Sequence, residues 1–156
     1  MQEIMEDILI NKKLFIIIVG CGRLGSYLAN RLSKDGHSVV VIDSREAAFE
    51  NLSTEFSGFR IEGDATEIAV LKEAKAEKAD LLIAATREDN VNLMVSQVAQ
   101  KIFHVPKVMA RVFELKREGI YRALGIETFC PTSLVGDFFL ESLIISQIAP
   151  HKEVAE

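Results

Sequence analysis

The chain is poor in cysteine, in basic charge and in long apolar runs, and each shortage removes a class of protein. Its two cysteines, Cys21 and Cys130, lie far apart with no Cys-x-x-Cys spacing. That argues against a disulfide framework and for free thiols in a reducing compartment. Eighteen Lys and Arg stand against 23 Asp and Glu, for a formal net charge of -5. A broad nucleic-acid surface needs a basic field, so none is expected, although a small basic patch at a phosphate site remains compatible. The longest apolar run, Leu14 to Val19, falls far short of the roughly 20 residues that span a bilayer. The opening Met1-Gln-Glu-Ile-Met-Glu-Asp7 is acidic, unlike the start of a secretory signal. A cytoplasmic protein without direct membrane insertion is therefore expected. No metal site is expected, and there is no internal repeat or low-complexity tract. The charge-rich stretch from Lys72 to Asp80 reads as a solvated helix face and loop. At 156 residues with 49% hydrophobic composition, the length suits one domain with a real core.

The informative stretch is Leu14-Phe-Ile-Ile-Ile-Val-Gly-Cys-Gly-Arg-Leu-Gly25. It reads as a buried strand entering a glycine turn and then a helix. Gly20, Gly22 and Gly25 form G-x-G-x-x-G, and no Gly-Lys-Ser/Thr follows, which sets a P-loop aside. Gly20 allows the tight turn, Gly22 admits a phosphate close to the backbone, and Gly25 lets the helix pack on the sheet. The free N–H groups and dipole at the helix start favour an anion. A second apolar run ends about 20 residues later in Asp43, the spacing expected of a ribose contact. Asp43 is followed by Ser44 and Arg45. Its carboxylate would repel a 2′-phosphate, which favours an adenosine or NAD-type ribose over NADP. Arg23 at the helix start can pair with a diphosphate. Cys21, inside the turn, is either a reactive thiol or a small residue tolerated there.

Strand and helix signals alternate along the chain. Strands are expected at 14–19, 38–43, 59–62, 81–85, 107–112 and 127–129, mostly short apolar runs suited to parallel strands covered on both faces. Helices are expected at 23–34, 45–56, 67–75, 88–103 and 113–124, the first closed by Gly36 and the last by Gly125. This order predicts an α/β, Rossmann-like, doubly wound parallel sheet of about six strands, with ligands at the carboxyl ends of the strands. Other candidates fall at those ends. Gly63-Asp64-Ala65-Thr66 follows the third strand, with Gly63 in a tight turn and Asp64 or Thr66 capping the next helix. Ala84-Ala85-Thr86 supplies small side chains over which a nucleotide can lie. Arg111 closes the fifth strand, where a buried arginine needs a partner such as Asp89 or a ligand.

The last segment, 133–149, carries Leu134, Val135, Phe138, Phe139, Leu140, Leu143, Ile144, Ile145 and Ile148. At 100° per residue these surround the helix axis, and a helix apolar on every side needs cover on every side. Subunit association is expected, unless the segment folds back on its own domain. The chain thus divides into an N-terminal arm (1–13), the nucleotide-binding domain (14–132), an association helix (133–149) and a tail (150–156).

Together Gly20-Cys-Gly-Arg-Leu-Gly25, Val41-Ile-Asp43, Gly63-Asp-Ala-Thr66, Ala84-Ala-Thr86 with Asp89-Asn90 and Asn92, Ala110-Arg111, and Tyr121-Arg-Ala-Leu-Gly-Ile-Glu127 before a proline and apolar helix resemble a known family. It is the Trk/Ktr-type N-terminal domain, TrkA-N, also called RCK or KTN, of regulatory subunits of potassium transporters and channels. The resemblance spans about residues 14–149. It implies binding of NAD(H) or an adenine nucleotide (AMP, ADP or ATP), with contacts at Gly20, Cys21, Gly22, Arg23, Leu24, Asp43, Thr86, Arg87 and Arg111. It implies a homodimer or higher ring assembly in which the apolar helix packs across a neighbour. It further implies a membrane potassium transporter or channel subunit as partner, and hence a peripheral place at the inner membrane face. Family members commonly carry a second, C-terminal regulatory domain after this helix; with this sequence ending at Glu156, either a separate subunit is expected to supply it or the chain is a stand-alone or truncated form.

A regulatory, non-enzymatic role is expected. The alternative is the cofactor-binding domain of an NAD-dependent oxidoreductase, which needs a substrate pocket with a general acid or base. The nucleotide fold takes up nearly the whole chain, and His37, His104 and His151 read as solvated loop residues away from the ligand edge. A methyltransferase fits less well, because no room remains for a substrate lid.

Overall fold

A computed structural model describes residues 12–148. Residues 1–11 of the expected arm, Ala149, the tail with His151, and the side chains of Ile145 and Ile148 lie outside the described residues. Six strands, β1 (Phe15–Val19), β2 (Ser38–Asp43), β3 (Phe59–Glu62), β4 (Leu81–Ala84), β5 (Lys107–Arg111) and β6 (Glu127–Phe129), form one parallel sheet in the order β3-β2-β1-β4-β5-β6. Among the described residues five α-helices accompany them: α1 (Arg23–Lys34), α2 (Ile68–Glu73), α3 (Asp89–Lys101), α4 (Glu118–Ala123) and α5 (Pro131–Ile148). The chain winds outward from β1 in one direction and returns to start again at β4, so strand order reverses between β1 and β4. In an open α/β sheet that reversal opens a crevice at the carboxyl edge.

The unbroken apolar character of β1 and β2 follows from burial on both faces. Successive side chains point to opposite sides. Ile16, Ile18, Val39 and Val41 pack with Ala29, Phe49, Leu52 and Phe56 on one face. Ile17, Val19, Val40 and Ile42 pack with Leu71, Val95, Ala99 and Tyr121 on the other. The pairing keeps like with like: Ile16 is in register with Val39 and Ile18 with Val41. A one-residue slip would exchange the faces of a whole strand, so this register fixes the height of the glycine turn above the sheet.

Two expected helices take another form. The segment 45–56 folds as a short 3-10 helix, Glu46–Asn51, followed by turns. Ala48, Phe49, Leu52 and Phe56 are buried as their spacing requires, but side chains compete for the backbone. Asp43 takes the Arg45 N–H, Asn51 donates to the Cys21 carbonyl, and Asn30 takes the Ser53 N–H. The first of these is local and offers the backbone an alternative to the helical ladder; the other two tie the segment to α1 and the glycine turn. The segment 113–124 likewise opens with a 3-10 turn, Leu115–Arg117, before α4, because the N–H groups of Phe113 and Glu114 are donated to the Asp89 carboxylate. His37 is not a solvated loop residue. It is buried, and its Nδ1 accepts the Leu14 N–H at 3.2 Å, tying the start of β1 to the turn before β2.

The expectation for the C-terminal segment holds as a continuous helix, α5. Its apolar residues are exposed on all sides, with Phe138 at 71% and Phe139 at 67% of full exposure. Leu134, Val135, Leu140, Leu143 and Ile144 are each more than half exposed. The exposed apolar side chains Phe113, Leu115, Ile120, Leu124 and Phe129 of the preceding elements add to this surface, which far exceeds isolated apolar residues on an ordinary monomer.

Candidate functional site

The carboxyl ends of β1, β2, β4 and β5 bring most of the expected residues to one edge. At its centre lies the turn from β1 into α1. The Gly20 N–H continues the sheet by donating to Ile42 O at 2.7 Å. Gly20 itself has φ +98°, and a Cβ there would lie 3.0 Å from backbone atoms of both Ala85 and Thr86. Gly25 is fixed by contact: its Cβ would fall 1.8 Å from the Gly20 carbonyl oxygen. Gly22 differs from both. Its backbone is extended, φ -78° and ψ -158°, and nothing lies within 4 Å of where its Cβ would stand. The fold imposes glycine at 20 and 25 and gives no internal reason for it at 22. A ligand passing over the turn supplies one.

Gly22 is the N-cap of α1 and offers no side-chain cap. The orphan N–H groups of the first turn therefore remain available to an anion, reinforced by the helix dipole. Arg23, exposed at the first helical position, brings a guanidinium to the same end. Leu24 follows, half-buried. Cys21 is buried between these elements. Burial, helped by the Asp43 carboxylate and opposed by Arg60, pushes its thiol up to about 11. Protonated at neutral pH, it behaves as the small residue of the turn rather than a nucleophile.

Asp43 ends β2 with a side chain 11% exposed. One carboxylate oxygen takes the Cys21 N–H at 2.8 Å and the other the Arg45 N–H at 2.9 Å. Each oxygen keeps a further lone pair, so the carboxylate holds the turn and can still accept from a ribose diol. The exposed Arg45 guanidinium reaches to 4.0 Å from it, and Ser44 is exposed between them.

The tetrad after β3 is arranged differently from expectation. Asp64 accepts both the N–H and the hydroxyl of Thr66, at 2.9 and 2.7 Å, and these bonds hold its carboxyl below the ordinary range. This closes a local turn and does not cap a helix: α2 starts later, with Glu67 as N-cap and no side-chain cap. Gly63 continues the β2–β3 pairing through its N–H to Asp43 O, and Ala65 is buried.

On the other side of the crevice, Ala85 donates to Val19 O and packs beneath Gly20. The Thr86 N–H and hydroxyl both point to Asn92 Oδ1, at 3.0 and 2.7 Å. Arg87 is exposed and lines a cleft of about 250 Å³ shared with Asp89, Asn90, Phe113 and Arg117. Arg111 does not meet Asp89, whose carboxylate is spent on the Phe113 and Glu114 N–H groups at 2.7 and 3.0 Å. The guanidinium instead lies 5.3 Å from the Phe113 ring centre. Its buried Nε has no hydrogen-bond partner among the described residues, which suits a cation waiting on an anionic or polar ligand.

Two residues that carry this geometry, Asp89 and Asn92, escaped the sequence reading as site residues. Their signal was present. The buried side of α3 comprises Asp89, Asn92, Val95, Ser96 and Ala99, so polar groups occupy positions of an otherwise apolar stripe. Asn92 is fully buried. Tyr121, from α4, donates to the Asp89 carbonyl. Burial and the Asp89 charge push its hydroxyl up to about 12.

Comparison with known proteins places the chain in a family. The family model of the TrkA-N domain matches residues 16–131. The chain is 37% identical, over 135 residues, to the Trk system potassium uptake protein TrkA of Streptomyces coelicolor, a match covering 86% of this chain and 60% of that protein. The chain thus spans about three fifths of that relative. Among solved structures, the Kef CTD of Shewanella denitrificans in AMP-bound form superposes with a TM-score of 0.71 at 24% identity, over 84% of this chain and 80% of that one. The GsuK channel bound to NAD superposes with a TM-score of 0.64 at 20% identity, over 78% and 22% respectively. With a family model covering most of its length, the glycine turn, Asp43 and the six-strand sheet in place, the chain belongs to the TrkA-N domain family.

Proposed function

We propose that this chain is a nucleotide-sensing regulatory domain of a potassium uptake system. It binds an adenine nucleotide, either NAD(H) or AMP, ADP or ATP, and biases the conformation of an oligomer that acts on a membrane transporter or channel subunit from the cytoplasmic side. The observation that carries the reading is the glycine turn. Gly22 opens onto free space above an uncapped helix start, with the Asp43 carboxylate on one side and the Arg111 guanidinium on the other. The amides of Arg23 and Leu24 would hold the phosphates, Asp43 the ribose, and Ala85 would lie beneath the ligand. The cleft beside Arg87 gives a dinucleotide room beyond its diphosphate. Family membership, the TrkA relative and the AMP- and NAD-bound neighbours support the same ligand class.

An oxidoreductase that used a histidine as its acid or base would place it along this edge. The described histidines lie at the opposite one: His37 precedes β2 with its Nδ1 committed to Leu14, and His104 precedes β5. No helix among the described residues is long and apolar enough to cross a membrane.

Calorimetry with AMP, ADP, ATP, NAD and NADH tests the site. Asp43→Asn keeps one acceptor for the turn but loses the charge. Its affinity for a ribose-bearing ligand is expected to fall roughly 10- to 150-fold, the worth of a hydrogen bond to a charged group. Affinity equal to wild type would remove Asp43 from the ribose.

A ligand shifts an assembly only by its differential affinity for two arrangements, so association is part of the proposal. The exposed apolar surface of α5, with exposed Phe113, Leu115 and Ile120 in the elements before it, would suit a second copy of this chain. Sedimentation of the wild type at micromolar concentration is expected to show a dimer or larger species, and the Phe138→Glu/Phe139→Glu double variant a folded monomer. A wild type that sediments as a stable monomer refutes the association.

A further inference from the structure

We propose that Asn92 is a positioning residue of the nucleotide site, its carboxamide replacing the sheet ladder where β4 and β5 part and thereby setting the place of Thr86 and the Arg111 guanidinium. The proposal rests on the nucleotide reading of this edge. The β4–β5 ladder ends at Ala84 opposite Ala110. Past that pair the strands diverge: Ala85 turns toward β1 and donates to Val19 O, while Arg111 pairs with Phe129 of β6. Asn92 fills the gap. Its Oδ1 accepts the N–H and hydroxyl of Thr86 at 3.0 and 2.7 Å, and its Nδ2 donates to the carbonyls of Thr86 and Arg111, each at 3.0 Å.

Those four bonds use every donor and a lone-pair site for each acceptor contact that a carboxamide offers in this setting. Among side chains of this size, only asparagine provides two N–H donors beside an oxygen acceptor. A carboxylate would face the two carbonyls with no donor, and an alkyl group would leave buried polar atoms unpaired. From the same helical turn, Asp89 takes the N–H groups of Phe113 and Glu114. Arg111 is therefore held on both sides, at its own carbonyl by Asn92 and two residues onward by Asp89. Its guanidinium rests beside the Phe113 ring with Nε unspent. A cation fixed in this way loses little side-chain entropy when a ligand arrives, which is the gain of preorganisation.

The test uses the full chain with Asn92→Asp, Arg111→Ala and the double variant, titrated calorimetrically with NAD and with AMP. Each single variant is expected to bind about tenfold or more weakly, and the double variant's loss to fall well short of the sum of the two, because Asn92 acts in part through Arg111. Additive losses, or wild-type affinity in Asn92→Asp, would overturn the proposal while leaving the site in place. A wild type that binds neither nucleotide overturns the site and the proposal together. If Asn92→Asp does not fold, amide exchange of the wild type decides. Ligand is expected to raise protection of the Thr86 N–H, donor to Asn92, at least tenfold more than that of the Ala85 N–H, which donates to β1. Equal changes at the two amides would count against Asn92.

Discussion

Replacing Gly25 by alanine is expected to lower the melting temperature by roughly 6–12 °C, the shift that a loss of about 3 kcal/mol brings to a domain of this size. The added methyl would sit 1.8 Å from the Gly20 carbonyl oxygen and 2.9 Å from its carbon. Both are backbone atoms of a turn that is itself fixed, since Gly20 N donates to Ile42 O and a Cβ at Gly20 would already meet the Ala85 and Thr86 backbone at 3.0 Å. Nothing flexible is available to yield. Either α1 lifts from the sheet or the turn breaks its bond to β2. Lifting α1 separates Ala29 from the cluster of Ile16, Ile18, Val39 and Val41, and overpacking of a close-packed region costs about 1–3 kcal/mol even where side chains can adjust. Gly119 provides the control. It lies in α4 with ordinary φ and open space around its Cβ position, so Gly119→Ala is expected to be neutral or to stabilise by up to about 1 kcal/mol. Thermal unfolding followed by circular dichroism separates the two. A Gly25→Ala protein melting within a degree of wild type would show that the turn is not packed as described.

The same distinction shows what could be read from the sequence. β2 falls at the expected residues because an apolar run bounded by turn residues reports burial on both faces, a property local to the run; β3 and β6, short and largely exposed edge strands, also fall where expected, fixed by their place in the alternation of strands and helices. The glycine turn and Asp43 were legible because their spacing along the chain mirrors their spacing in space. Most of the failures involve bonds between residues distant in sequence. No periodicity tells that Asn51 reaches the Cys21 carbonyl and Asn30 takes the Ser53 N–H, bonds that tie the segment expected to be helical to the glycine turn and α1. The acid near Arg111 was identified, but its carboxylate serves backbone amides of the following loop, a role invisible without the turn of the chain after β5. Asp64, expected at a helix cap, prefers the shorter reach to Thr66. Asn92 stood in the recognised motif without a role, because its four partners come from the ends of two strands that only the sheet brings together.

Gly22→Ala is expected to do the reverse of Gly25→Ala: to leave the fold nearly intact and weaken nucleotide binding at least tenfold, about 1.4 kcal/mol. The backbone at 22 is extended and open to any residue. Alanine is a poorer N-cap than glycine, which limits the stability loss to about 1 kcal/mol or less. Its methyl would meet no protein atom within 4 Å, and would project above the start of α1, where a diphosphate must approach the backbone to reach the orphan amides. Moving an anion outward by the radius of a methyl group costs it those short N–H contacts, which are the strong, charge-assisted ones. Thermal melting together with calorimetry on NAD and AMP gives the answer. Unchanged melting with lost affinity assigns the open face of Gly22 to the ligand. Unchanged affinity would mean that the phosphates do not cross the turn at Gly22, and the ligand would then have to be sought along the cleft between Arg87 and Arg117.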